Sequence, residues 1–149
     1  MLVKDIMSKN LRSVMPETSI AEAMSLMRFH QVDCLPVTIN KEYVGFVQLS
    51  DVLAMFFPEK FNCAEELDID TSRLQNKYAP IVRVEVKQVM DSSRRTVSPL
   101  VTVNEAMSIM LEEDACRLAV TESGKLVGLI SFDDINKSIL GLIGIKVAA

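Results

Sequence analysis

The sequence predicts an α+β fold in which one strand–helix–strand–strand–helix unit occurs twice with pseudo-twofold symmetry. Residues 3–54 align without a gap on residues 86–137, and a third of the aligned positions are identical. In each copy, apolar residues recur at helical spacing behind a capping motif, and two short apolar runs follow. An internal repeat of this kind indicates two copies of one structural unit.

Each unit is predicted to begin with a short strand and a capped helix. The strands "LRSVM" and "RRTVS" each run into a proline two residues after the valine. The capping motifs are Ser19-x-x-Glu22 and Thr102-x-x-Glu105, in which hydroxyl and carboxylate each satisfy a backbone N–H. The apolar stripes behind them form core faces: Ile20, Ala23, Met24 and Met27 in the first copy, and Val103, Ala106, Met107 and Met110 in the second.

A hairpin and a second helix complete each unit. The paired apolar runs are separated by "NKE" and "ESGK", which suit tight turns between antiparallel strands, and the helices follow at "SDVLAMFF" and "DDINKSIL". We therefore expect a first motif at residues 1–57, a second at 86–140 and an apolar tail at 141–149, in one compact module. Between them, residues 58–85 are expected to form a helical insert, because their apolar side chains need cover.

Composition excludes several classes of protein. The net charge of −4 argues against a nucleic-acid partner. The most apolar segment, Ile139–Ala149, is shorter than the roughly 20 residues of a membrane span and is expected to pack on the body or on a second subunit. Three cysteines without a CxxC pair, and the absence of a signal peptide, indicate a reducing cytoplasm and no metal site. We also expect no enzyme, because activated nucleophiles and phosphate-binding glycine loops are lacking.

Each hairpin leads into its second helix through a similar turn, "GFVQLSD" from Gly45 and "GLISFDD" from Gly128. Ser131 is expected at a strand end and Asp134 in the first helical turn, where open N–H groups and the helix dipole favour an anion. The serine could donate to a phosphate, and the aspartate could accept from both ribose hydroxyls. The alternative is a carboxylate that only stabilises the helix start.

The family pattern of a CBS-domain pair, or Bateman module, is a tandem of such units closing in a glycine, two apolar residues and Ser/Thr-x-x-Asp. This chain resembles it, with Ser131 and Asp134 in the second copy and with Gln48 in place of the hydroxyl residue in the first. The resemblance implies two three-stranded sheets flanked by helices, packed face to face around two clefts. It further implies an adenosine-containing ligand (AMP, ADP, ATP or S-adenosylmethionine), no required cofactor, a homodimer and an unidentified regulated protein. The alternative is a structural or dimerisation module with degenerate, non-binding sites.

The resemblance also implies site residues in each unit. In the second unit, Ser131 would contact the phosphate and Asp134 the ribose. Arg117 would either face a phosphate or lie on the surface, and Arg95 is a weaker candidate for a phosphate ligand. The base would be contacted by Thr96, Val97, Ala119 and Val120. In the first unit, the corresponding residues are Ser13, Val14, Pro36, Val37, Gln48 and Asp51. Because Gln48 stands at the place of Ser131 and Cys34 at that of Arg117, we expect this site to be weak, differently occupied or empty.

Overall fold

The computed structural model of the chain describes residues 1–56, 83–93 and 95–146. Most of the expected insert, residues 58–82, lies outside this range, as do residues 147–149 of the tail. The helices and strands, in chain order, are α1 (Val3–Ile6), α2 (Ile20–His30), β1 (Cys34–Ile39), β2 (Glu42–Gln48), α3 (Leu49–Phe56), a 3-10 turn (Val86–Gln88), α4 (Val103–Glu112), β3 (Arg117–Glu122), β4 (Lys125–Ser131) and α5 (Phe132–Leu142). The predicted α+β class is confirmed, and so is the helix–strand–strand–helix order in both motifs, but the strand expected at the start of each motif is absent.

The chain forms two compact units whose boundaries interleave along the sequence. Unit A contains Ser13–Ile39 and Val44–Ser92, and unit B contains Met1–Arg12, Asn40–Tyr43 and Ser93–Ala149. Each unit therefore combines one motif with a leading segment taken from the chain ahead of the other motif.

Unit A is built around β1 and β2, which are neighbours in the sheet. Val14 adds one parallel bridge to Val37, so the predicted strand "LRSVM" pairs through a single residue. Pro16 follows two residues later and, lacking an N–H, could not extend the pairing. The apolar stripe of α2 packs on this sheet as predicted, and the core consists of Val14, Ile20, Ala23, Met27, Leu35, Val37, Val47, Val52 and Val86.

Unit B repeats this plan with an antiparallel hairpin of β3 and β4. Arg117 lies opposite Ser131 at one end of the hairpin and Glu122 opposite Lys125 at the other, with a register shift after Val120. Val97 forms the one parallel bridge, to Val120, so the predicted strand "RRTVS" is again reduced to a bridge ahead of a proline. The core consists of Val3, Val97, Ala106, Met110, Leu118, Val120 and Ile130.

The leading segments "VKDIM" and "VKQVM" complete the units in an exchanged manner. Val3 is fully buried in the core of unit B, and Val86 is fully buried in the core of unit A. Ser8 pairs with Leu129 of β4 through two backbone hydrogen bonds of 2.8 and 3.0 Å. Sequence position alone therefore does not indicate which motif a leading segment joins.

The two glycines of the paired turns make room for these segments. A Cβ on Gly45 would lie 2.8 Å from the backbone oxygen of Asp91, and one on Gly128 would lie 2.5 Å from Met7 Sδ. Both distances are shorter than a carbon atom tolerates. Gly45 therefore permits the close approach of another backbone segment, and Gly128 leaves space for the Met7 side chain.

Two further expectations need correction. At Ser19 the cap consists of the hydroxyl bond alone, with Glu22 N donating at 3.2 Å, whereas Thr102 and Glu105 form the full reciprocal box. Helix α5 ends at Leu142, and the last apolar side chains that the structure describes do not pack on the described body of the chain, so packing of the tail on a second subunit stays a prediction. Leu142 is 73% exposed and Ile143 63% exposed.

Candidate functional site

The hairpin register brings two of the predicted site residues together in unit B. Arg117 and Ser131 are directly opposite each other across β3 and β4. Side chains of opposite residues lie on the same face of an antiparallel pair, with Cβ atoms about 5 Å apart. The alternate residues Leu118 and Ile130 are buried in the core cluster. Arg117 and Ser131 therefore share the face that points away from the core.

The predicted base-contacting side chains are less accessible than the sequence suggested. Val97 is 4% exposed and Val120 is fully buried, and both belong to the core cluster of unit B. Ala119 is also fully buried, although it lies on the opposite face. Period-2 alternation directs the two valine side chains into the core, so a base would meet the backbone of this segment, and its contact with these residues stays a prediction.

Thr96 remains accessible, and it has a partner that the sequence did not reveal. Thr121 Oγ1 donates to Thr96 Oγ1 at 3.1 Å. In unit A the equivalent residues make the same contact, since Thr38 Oγ1 donates to Ser13 Oγ at 3.2 Å. The signal available in the sequence was a pair of hydroxyl residues 25 positions apart in each copy.

Ser131 and Asp134 hold each other in a capping box at the start of α5. Asp134 N donates to Ser131 Oγ (3.2 Å), while Ser131 N and Ser131 Oγ donate to Asp134 Oδ2 (2.9 and 2.8 Å). Both side chains are half-buried. The serine hydroxyl and the aspartate carboxylate are thus adjacent and oriented, but engaged in capping the helix.

This arrangement corrects the expectation of an anion site built on open N–H groups. Phe132 N donates to the backbone oxygen of Cys116 at 3.1 Å, and Asp134 N is taken by Ser131. Two N–H groups of the first turn therefore have partners within the protein. Any phosphate would depend mainly on side-chain donors and less on the helix start.

The two predicted arginines have different surroundings. Arg95 Nη1 lies 3.3 Å from Glu112 Oε2, and Arg95 Nε lies 3.8 Å from Glu113 Oε1. These two carboxylates at the end of α4 already neutralise Arg95, which weakens its case as a phosphate ligand. Arg117 is half-buried and lies opposite Ser131 in the hairpin.

A further charge pair flanks Asp134 in the first half of α5. Lys137 Nζ lies 2.8 Å from Asp133 Oδ2, one helical turn away. The hydrogen bond that the Lys137 ammonium donates to Asp133 raises the pKa of Lys137 above its ordinary value. The first half of α5 therefore carries one cation, Lys137, beside the carboxylates Asp133 and Asp134.

Unit A reproduces the backbone of the site with different side chains. Val14 N donates to the backbone oxygen of Pro36 at 3.0 Å, as Val97 N does to Ala119 in unit B. At the strand end Gln48 replaces the capping serine, and Ser50 Oγ donates to Gln48 Oε1 at 3.5 Å. Asp51 is exposed and has no hydrogen bond to another described residue. Val14, Pro36 and Val37 are buried, so the accessible members of this set are Ser13, Gln48 and Asp51.

Unit A also has an open pocket of about 530 Å³ that does not coincide with this set. Its walls come from α2, the loop after it and the start of α3: Met24, Ser25, Met27, Arg28, Gln31, Val32 and Leu49. Because α2 packs on the core side of the sheet, the pocket and the Ser13–Thr38 pair are on different faces.

The described parts of the chain contain neither a cluster of metal ligands nor a helix that could span a membrane. Within residues 1–56, 83–93 and 95–146, no three His, Cys, Asp or Glu side chains come together as metal ligands. No helix in the same ranges is long and apolar enough to cross a membrane. Among the described residues, the polar set around Ser131 is therefore the candidate site.

The sequence matches the family model of the CBS domain twice, over residues 3–57 and 86–141. The chain belongs to the CBS-domain family, and the two matches make it a tandem pair. This confirms the resemblance drawn from the repeat and from the paired turns.

Two curated relatives differ in how much of their length the chain represents. Over 128 residues it is 31% identical to an inosine-5'-monophosphate dehydrogenase of Korarchaeum cryptofilum, covering 85% of the chain but only 22% of that enzyme. It is 24% identical to the CBS domain-containing protein YhcV of Bacillus subtilis, covering 89% of the chain and 81% of YhcV. The chain thus spans about a fifth of the enzyme and most of YhcV.

Solved structures of similar sequence share the fold. CBSX2 from Arabidopsis thaliana, a CBS-pair protein, is 27% identical, with a TM-score of 0.78 over 95% of the chain and 96% of CBSX2. A complex of CBSX2 with AMP is 26% identical, with a TM-score of 0.74 over 95% of the chain and 98% of that structure. The tandem α+β architecture is therefore that of known CBS pairs.

Proposed function

We propose that the chain is a regulatory module that binds an adenosine nucleotide at the Ser131 end of unit B. The observation that carries the proposal is the grouping of Arg117, Ser131 and Asp134, which combines a cation, a hydroxyl and a carboxylate. Such a set can neutralise a phosphate and accept from ribose hydroxyls at the same time. The AMP complex of the similar protein CBSX2 supports this choice of ligand.

In this proposal binding exchanges one hydrogen bond of the capping box. The Ser131 hydroxyl now donates to Asp134 Oδ2 at 2.8 Å. When it rotates to donate to a phosphate, it still accepts from Asp134 N, so the helix keeps its cap. Asp134 keeps the bond from Ser131 N and gains acceptor capacity for the ribose. Thr96 contributes a hydroxyl beside the base, and Arg117 provides the charge for the phosphate.

Binding would act on a partner protein by changing the packing around α5, without chemistry of its own. A ligand shifts a conformational equilibrium only through its different affinity for the two states. The exchanged serine bond at the start of α5 supplies such a difference. We further propose a reducing, cytoplasmic setting, because the three cysteines of the sequence form no CxxC pair. The motif boundaries 1–57 and 86–140, the insert 58–85 and the tail 141–149 also remain part of the proposal.

Thermal unfolding in the presence of ligands tests the proposal. AMP, ADP, ATP and S-adenosylmethionine would each be added at millimolar excess. A ligand at about 100 times its dissociation constant adds about 2.7 kcal/mol to the free energy of unfolding. We expect at least one of the four to raise the melting temperature. If none does, the chain is a structural module, which is the alternative function.

A matched pair of aspartate variants then locates the site. Asp134→Ala should remove the ligand-induced shift, because it deletes the ribose acceptor. Asp133→Ala is the control, since Asp133 is adjacent but points to Lys137. Asp51→Ala should reduce the ligand-induced rise in melting temperature less than Asp134→Ala does. The opposite order would place the main site in unit A.

We also propose that the chain forms a homodimer and that the outward face of α5 contributes to it. Ile139 and Leu142 are 53% and 73% exposed on this helix. Leu142→Glu should shift the sedimentation coefficient of the purified protein toward that of a monomer. Asn136→Glu, also exposed on α5, is the control that should leave the assembly unchanged. Monomeric wild-type protein at micromolar concentration would exclude the dimer.

A further inference from the structure

We propose that the open pocket of unit A binds an amphiphilic carboxylate, a small molecule with one carboxylate group and an aliphatic chain. Arg28 would bind the carboxylate, and the apolar side chains of the pocket would surround the chain. The pocket is on the other face of unit A from the Ser13–Thr38 pair. The inference therefore concerns a separate site and does not depend on the proposed nucleotide function.

The pocket has the size and the wall composition of a small-molecule site. Its volume is about 530 Å³. Ligand sites typically measure roughly 300–1,000 Å³ and are mostly apolar, with a few polar groups that orient the ligand. Four of the seven lining residues are apolar, and the polar ones are Ser25, Arg28 and Gln31. Two of the apolar residues, Met24 and Met27, have flexible thioether side chains that adapt to an aliphatic chain.

Backbone hydrogen bonds fix the loop after α2 and hold it beside the start of α3. Val32 N donates to Met27 O at 2.9 Å, and Leu49 N donates to Asp33 O at 2.8 Å. The walls of the pocket therefore stand on a fixed backbone. Binding would require little ordering of the chain, which lowers its entropic cost.

Arg28 is the charged residue of the pocket, and the end of α2 does not need it as a cap. Basic side chains in the last turn of a helix often bind its terminal carbonyl groups. Here Gln31 N donates to the backbone oxygens of Met27 and Arg28. Among the residues that the structure describes, the Arg28 guanidinium has no carboxylate partner. It is therefore available for a two-pronged hydrogen bond to a ligand carboxylate.

The two helix ends beside the pocket leave the sign of the charge to Arg28. The pocket lies between the end of α2, where the helix dipole favours a cation, and the start of α3, where it favours an anion. These opposite contributions largely cancel. The guanidinium then attracts a carboxylate and repels a cationic ligand.

Unit B provides a comparison within the same chain. At the positions 83 residues later, Arg28 corresponds to Leu111 and Gln31 corresponds to Asp114. The leucine at the start of α3 corresponds to the larger Phe132. These replacements remove the cation, add a carboxylate and place a ring where unit A has a shorter side chain. An amphiphilic carboxylate should therefore bind to unit A and not to the equivalent place in unit B.

Isothermal titration with octanoate tests the assignment, with hexanoate and 1-octanol as matched probes. Hexanoate keeps the charge with a shorter chain, and octanol keeps the chain without the charge. We expect octanoate to bind at one site per chain, up to about fifteenfold more tightly than hexanoate, because each buried methylene contributes a factor of about four. Octanol should bind about tenfold more weakly than octanoate. No saturable binding of octanoate at millimolar concentration would overturn the inference.

Two variants locate the site. Arg28→Gln removes the charge and should lower the octanoate affinity about tenfold while leaving octanol binding unchanged. Leu49→Phe introduces the ring found in unit B and should weaken the binding of both probes. Arg12→Leu, which removes another exposed arginine, is the control and should change neither. Because Arg28 is exposed, its variant should fold, and wild-type octanoate affinity in that protein would show that Arg28 does not bind the carboxylate.

Methyl NMR of the methionines distinguishes the pocket from general adsorption to apolar surface. Octanoate should shift the methyl signals of Met24 and Met27 and leave those of the corresponding Met107 and Met110 unchanged. Shifts in both pairs, or binding without a shift in either, would reject the pocket as the site. AMP is absent from all of these measurements, so a failure here leaves the nucleotide proposal for unit B standing.

Discussion

At the scale of single residues, Ser131 combines a structural and a proposed functional role. From the sequence, Ser131 and Asp134 were interpreted as a pair of ligand contacts. Their Ser-x-x-Asp spacing is also that of the capping box at Thr102-x-x-Glu105. The cap was therefore predictable. The burial of Val97 and Val120 was also predictable, because strict alternation along β3 leaves only one face for the core.

Removing the hydroxyl should affect stability and binding separately. Ser131→Ala should lower the free energy of unfolding by about 1 kcal/mol, the usual cost of losing an N-cap. Thr102→Ala removes the same kind of box from α4 and should cost a similar amount. Urea denaturation measures both changes.

Only the first of these variants should weaken AMP binding, because Thr102 caps a different helix and is not among the proposed ligand contacts. Titration of both proteins with AMP provides the comparison. Equal loss of AMP affinity in the two would mean that binding follows general stability and that Ser131 makes no contact of its own.

At the scale of elements, the hairpins and helices were predictable because their periodicities are regular and their turns carry typical residues. The length of the first strand in each motif was not predictable. Each pairs through one residue only, Val14 or Val97, and this depends on the proline that follows and on the neighbouring strand. The half-formed cap at Ser19 shows the same limit, because a matching motif does not fix both of its hydrogen bonds.

The two strand glycines should differ in their tolerance of a methyl group. Gly45→Ala places the new carbon 2.8 Å from the backbone oxygen of Asp91. A backbone segment cannot move aside cheaply, so we expect a loss of roughly 2 kcal/mol in the free energy of unfolding. Gly128→Ala meets the flexible side chain of Met7 and should cost less.

Two further variants serve as controls for the glycine series. Met7→Ala should recover part of the loss in Gly128→Ala, since it removes the contacting sulfur. Gly141→Ala meets no atom within 4 Å and lies in α5, so it should stabilise the protein by up to about 1 kcal/mol. A Gly45→Ala protein as stable as wild type would show that the Asp91 segment does not pack closely against β2.

At the scale of the whole molecule, the interleaving of the units was beyond the sequence. The segments "VKDIM" and "VKQVM" share three of five residues and the same apolar pattern, so each would suit the core of either unit. The alignment of the repeats attaches each segment to the motif that follows it. The contacts of Val3 with the core of unit B decide the matter instead. The internal repeat predicts that one unit occurs twice. It does not show which copy of the leading segment belongs to which unit.

The exchanged segments should contribute measurably to stability. Val3→Ala and Val86→Ala each delete two methyl groups from a fully buried side chain and should each lower the free energy of unfolding by roughly 2 kcal/mol. Lys4→Ala, exposed on α1, is the control and should change it little. Chemical denaturation monitored by circular dichroism distinguishes these cases. A Val3→Ala protein with wild-type stability would contradict the burial of the leading segment.

The position of Val3 also has a consequence for the order of events on the ribosome. Its partners Val97, Ala106, Met110 and Ile130 are synthesised about a hundred residues later. Until then the segment "VKDIM" has no core to enter, although unit A already has Val14 to Val52. The similar segment "VKQVM" is synthesised soon after the rest of unit A and can complete its core at once. The segment "VKDIM" is synthesised first but is among the last to enter its core, that of unit B.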